Sequence, residues 1–128
     1  MADLTPIEGE DAEMNAAIAE ARRTFSQFRQ ALEEDWQRMI PIIDRPLIKA
    51  RFVSASTGKI EHMWVEVTNF DGEQTVGDLA NEPGDIPELS AGDEVRVAPA
   101  DVTDWVYWES GNAVGGFTLA VLERREQS

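Results

Sequence analysis

Residues 60–79 read IEHMWVEVTNFDGEQTVGDL, and the fold turns on them. The first ten positions hold Ile60, Trp64, Val65, Val67 and Thr68, types suited to a strand, and Asp71-Gly72 follows, a pair whose backbone accepts the positive φ of a tight hairpin turn. A strand from Ile60 to Asn69 therefore meets the turn and returns through Gln74 to Leu79. A two-residue and a three-residue loop give different registers, with Glu66 opposite Gly77 in one and opposite Asp78 in the other. Like charges facing each other repel, so the Gly77 pairing is the expected one.

Toward the amino terminus, Leu47 to Ala55 alternates as a further strand and ends at Ser56-Thr57-Gly58, which makes an antiparallel meander with the hairpin. Ile40 to Pro46 reads as a connector. Before it, Met14, Ile18, Ala21, Phe25, Phe28, Leu32, Trp36 and Met39 recur every three or four residues, one apolar stripe of a long amphipathic helix. Glu10 or Asp11 caps or charges its first turn and Pro41 limits its far end, so the helix is placed over 11–38. Packing of the stripe on the sheet is expected. Dimerisation through the helix would instead leave Phe25, Phe28 and Leu32 exposed.

Toward the carboxyl terminus, Asn81 to Pro87 is too rich in breakers for regular structure and forms a surface loop, a rim to any site. Short strands follow at Glu94 to Val97 and Val102 to Glu109, with a turn at Ser110-Gly111-Asn112. Phe117 to Arg125 suits a strand by one spacing and a helix by another, and the helix is the expected state. The fold class is thus α+β: a long N-terminal helix on a twisted antiparallel sheet, with a short C-terminal helix. The 128 residues are expected to make a single domain, with a flexible N-terminus over about 1–10, the helix over 11–38 and a β-rich body over 47–125.

Composition removes several functions. There is no cysteine, hence no disulfide framework, thiolate zinc site or cysteine nucleophile, and a cytoplasmic setting fits. Neither a basic, apolar leader nor a membrane-spanning apolar run is present, so an exported or membrane protein is not expected. The net charge is −14, and Ile60 to Ser110 holds thirteen acids against Arg96 alone. Phosphate backbones are repelled by such a surface, so no nucleic-acid partner is expected.

His62 is the only histidine and the first candidate for acid–base work. On a strand, His62, Trp64 and Glu66 share one face, with the outer two roughly 13 Å apart, too far to ligate one metal ion. A remote carboxylate such as Asp104 or Asp101 is needed to orient the imidazole. Nothing selects a serine nucleophile among Ser54, Ser56, Ser90 and Ser110, and no phosphate-binding or dinucleotide fingerprint occurs. The loops around Asp71 and from Asn81 to Asp85 offer calcium oxygens without EF-hand spacing. No metal and no cofactor is expected. More suggestive is the gathering of Trp64, Trp105, Tyr107 and Trp108 in the acidic half. Aromatic rings among carboxylates suit a cationic protein or peptide, on a surface taking in Glu61, His62, Trp64, Asp101, Asp104 and Trp105.

Five motifs carry a family resemblance: Glu61-His62-Met63-Trp64-Val65, Asn81-Glu82-Pro83, Gly92-Asp93-Glu94-Val95, Asp104-Trp105-Val106-Tyr107 and Gly115-Gly116-Phe117-Thr118-Leu119. In this order, from the helix start Met14-Asn15-Ala16-Ala17 to about Leu122, the chain resembles the bacterial YegJ-like family known as domain of unknown function 2314. The resemblance implies a compact bacterial domain, sometimes appended to ankyrin-repeat proteins, and no activity. Many members carry export signals, from which this chain departs. The expected function is a non-enzymatic binding or regulatory module with a basic partner, and the alternative is a small hydrolase or lyase using His62 with Asp104. The oligomeric state stays open.

Overall fold

A computed structural model describes residues 11–127; the expected flexible N-terminus, over about 1–10, lies outside the described residues. Asp11 starts the first helix, its carboxylate accepting the Met14 N–H at 3.0 Å. The uninterrupted stripe predicts one helix over 11–38, but the chain forms two, α1 (Ala12–Arg23) and α2 (Phe25–Asp35). Thr24 causes the break. Its hydroxyl donates to the Glu20 carbonyl at 2.8 Å, in competition with the backbone ladder, and it accepts the Trp105 Nε1–H at 3.2 Å.

The second helix also stops earlier than Pro41 alone requires. The Asp35 carboxylate accepts the N–H groups of Ile42 and Ile43 and a guanidinium N–H of Arg38, which folds the following chain back across the helix end. Burial opposes ionisation there, but these donors prevail and hold the Asp35 pKa below its ordinary value. Trp36 and Met39, counted on the stripe, are consequently not core residues: Met39 is 98% exposed.

The sheet comprises β1 (Ile43–Val53), β2 (Ile60–Asp71), β3 (Gln74–Leu79), β4 (Glu94–Val97), β5 (Val102–Glu109) and β6 (Asn112–Gly115), in the order β4-β3-β2-β1-β5-β6. All neighbours are antiparallel. Strand β1 begins at Ile43 rather than Leu47, because an irregularity between Asp44 and Leu47, with Arg45 at φ 50, accommodates Pro46 within the strand. Strand β6, absent from the sequence reading, returns from the turn at Ser110 and Gly111, both at positive φ.

The β2–β3 register is the one the repulsion argument rejected. Asp71 pairs with Gln74 around a two-residue turn, and a bulge at Thr68 then shifts the ladder by one, which sets Glu66 opposite Asp78.

Helices α1 and α2 close one side of this sheet. Phe28 and Leu32 are fully buried, and the Phe28 ring lies 5.3 Å from Trp105 and 6.3 Å from Tyr107, beside a floor that includes Ile48, Ala50, Met63 and Val65. Each such side chain contributes roughly 1.5–3 kcal/mol by leaving water. Since Phe28 and Leu32 are spent on their own sheet, dimerisation through these rings is not available. The tail is helical, α3 (Phe117–Glu126), and is tied to α1 by Arg124–Glu13 and Arg125–Asp11 pairs at 2.7 Å. No helix among the described residues is long and apolar enough to cross a membrane.

Candidate functional site

The strand alternation places His62, Trp64 and Glu66 on the side of β2 opposite the buried Met63, Val65 and Val67. Across β1 they meet Arg51, Lys49 and Leu47 respectively. The Lys49 ammonium stands 5.6 Å from the centre of the Trp64 ring, a cation–π contact. Partial burial lowers the Lys49 pKa, and the charge of Asp104, its partner on β5, opposes that shift. Trp64 is half-buried, so its ring and the Lys49 stem cover the middle of this outer face.

Beyond Trp64 the same face turns acidic. Glu66 pairs with Asp78 and Asp78 with Glu94, a row of three exposed carboxylates over β2, β3 and β4. None of the three makes a hydrogen bond or ion pair within the described residues. Arg96, the base closest in sequence, is drawn away to Asp71 at 2.6 Å. The sequence offered the Glu66–Asp78 pairing as one of two registers and the like-charge argument set it aside; the bulge at Thr68 brings it about.

The other candidate residues separate into distinct roles. The Glu61 carboxylate accepts the N–H groups of Gly84 and Asp85 at 2.8–3.1 Å, while the Asn81 side chain accepts the Trp64 N–H at 2.6 Å. These two anchor the loop over 81–87 along β2, so Glu61 holds the rim in place. Asp101 ends the 3-10 turn Pro99–Asp101 and lines a cleft beside α1.

Asp104 and Trp105 are interior, a correction to their placement on a binding surface. Asp104 is wholly buried, and its carboxylate accepts the N–H groups of Trp105, Phe117 and Thr118 and the Thr118 hydroxyl, at 2.5–3.1 Å. It supplies from β5 the N-cap that Gly116, the residue before α3, lacks. Trp105, 3% exposed, donates its Nε1–H to the Ala21 carbonyl and the Thr24 hydroxyl.

Nor does the fold assemble His62 with Asp104. Strand β1 lies between their strands, which separates them by roughly 10 Å sideways, and the Asp104 oxygens are occupied by backbone and threonine donors. No cluster of three metal-ligating side chains exists among the described residues. The described residues thus present charge and aromatic surface on this face, with Asp104 given over to capping α3.

Comparison with known proteins gives a family and no activity. Residues 11–127 match the family model described as "Uncharacterized protein conserved in bacteria (DUF2314)". A putative ankyrin repeat protein of Neisseria meningitidis serogroup B is 35% identical over 118 residues, 91% of this chain and 47% of that protein. The uncharacterised protein YegJ of Escherichia coli K12 is 23% identical over 109 residues, 85% of this chain and 66% of its own length. The chain thus spans about half of the first relative. No solved structure matches it.

Proposed function

We propose, for a chain that belongs to the DUF2314 family of uncharacterised bacterial proteins, a non-enzymatic role as a protein-binding module that takes a basic protein or peptide on its outer sheet face. The observation that carries this reading is the row Glu66, Asp78 and Glu94. Carboxylates directly opposite one another weaken a sheet, and here two successive pairs are exposed with no cation paired to them among the described residues. A partner that lays lysine or arginine along the row relieves that repulsion and gains the stacking surface of Trp64 beside it. Of the residues read from the sequence, His62 and Trp64 belong to this face, with Glu61 supporting its rim.

Capture tests it. The immobilised chain, offered a bacterial extract at low ionic strength, retains a basic protein. The combined variant Glu66→Gln, Asp78→Asn, Glu94→Gln releases that protein, and raising salt releases it from the native chain as the charges are screened. Retention of the same proteins by both forms at every salt concentration would sink the proposal.

A further inference from the structure

Two of the chain's arginines point to a second site, of opposite sign and independent of the acidic row. Seven of the eleven Lys and Arg side chains stand within 3.9 Å of a carboxylate, as expected among 25 acids. Arg22 and Arg51 do not, and both line one cleft of about 890 Å³ between α1, β1 and the turn Pro99–Asp101. That volume is in the range of small-molecule sites.

Arg22 is oriented by the protein itself. Its Nε–H donates to the Val102 carbonyl at 3.0 Å and an Nη2–H to the Ala100 carbonyl at 2.9 Å, and Nη1 has no acceptor among the described residues. Arg51 is half-buried on β1 and its side chain makes no hydrogen bond or ion pair within the described residues. A guanidinium withdrawn from water without an acceptor is costly, and an anion in the cleft removes that cost. Arg23 also lines the cleft, but Glu20 neutralises it at 2.5 Å. Asp101 contributes one negative charge. Against Arg22 and Arg51 this leaves a single net positive charge, beside the apolar side chains of Ile18 and Ala19.

We infer that this cleft binds a small monocarboxylate with an apolar body, its carboxylate held by Arg51 and the Nη1 of Arg22 and its body against Ile18. One unit of positive charge matches a carboxylate better than a phosphate dianion, which Asp101 repels. The planar guanidinium fork adds geometric preference for two coplanar oxygens.

The 128-residue chain is titrated at constant ionic strength with benzoate, and separately with inorganic phosphate, following backbone amide NMR shifts. Benzoate gives a saturable response confined to α1, Arg51 and the turn Pro99–Asp101, with phosphate weaker. Arg51→Gln weakens benzoate binding roughly tenfold or more, the loss of one charge-assisted contact, and Arg96→Gln leaves it unchanged. Arg51→Lys keeps the charge and loses the fork, so it weakens binding less than Arg51→Gln does, and it tests the site even if the glutamine variant fails to fold. The inference is overturned if benzoate does not saturate at millimolar concentration, if phosphate binds as tightly, or if neither Arg51 variant weakens binding.

Discussion

Glu88 lies at the surface, yet its carboxylate accepts the Ser56 N–H at 2.8 Å and the Ser54 hydroxyl at 2.9 Å, pinning the loop before β4 to the turn after β1. Those donors, the Ser56 N–H foremost, pull its pKa from the ordinary 4.5 down to about 2. A folded-state pKa below the unfolded one means that the unfolded chain binds the proton first. The stabilisation is therefore complete above about pH 4.5 and is lost as the pH falls through about 2. Glu88→Gln should be less stable than the native chain at neutral pH, with a gap that narrows across this window, as read by chemical denaturation at a series of pH values. A gap constant throughout would show that the ionised carboxylate is not the source. No local pattern marks Glu88, whose partners are 32 and 34 residues away. Single positions were legible where geometry is local, as for His62, Trp64 and Glu66 on one strand face. They were opaque where distant chain decides exposure: Trp105 is buried by a helix whose Ala21 lies 84 residues before it.

Among the elements, α3 depends on a residue that its own sequence does not contain. Gly116 precedes it at φ 73 with no side chain to cap the first turn, and the buried Asp104 accepts the free N–H groups instead. Asp104→Ala would leave these donors and the Thr118 hydroxyl unpaired in the interior, costing about 2–4 kcal/mol. Amide exchange should locate the damage, with α3 losing protection while β1 and β2 keep theirs. Unchanged stability with α3 still protected would remove Asp104 from this structural role. Strand limits were readable wherever breakers stood on both sides, so β3, β4 and β5 fall at the expected residues. The helix break and the β2–β3 register were not, because each rests on a tertiary event. Thr24 receives the indole of Trp105. Gly77 sits so close to β2 that an added Cβ would overlap the Glu66 carbonyl oxygen, and the bulge at Thr68 sets which residue faces it. A pairwise charge rule has no means of weighing a bulge.

At the scale of the molecule, the net charge of −14 is unevenly spread. Five of the eleven bases, Arg23, Arg29, Arg38, Arg124 and Arg125, are held by acids in or beside α1 and α2, and among the described residues none is paired with the row Glu66, Asp78 and Glu94. If that row is kept for a cationic partner, it must weaken the free chain, and the sign of its effect is measurable without knowing the partner. The variant Glu66→Gln, Asp78→Asn, Glu94→Gln should unfold at a higher temperature than the native chain at low ionic strength. The gain is of the order of 0.2–1 kcal/mol for each of the two opposed pairs. Concentrated salt should raise the native chain toward the variant, because screening relieves the same repulsion that the substitutions remove. Thermal denaturation of both proteins at low and high salt separates this from a general effect of net charge, provided that neutralising three exposed acids elsewhere, such as Asp44, Glu73 and Glu126, yields a smaller gain. A triple variant less stable than the native chain would mean that the row supports the fold, and the case for a partner on this face would lose its premise.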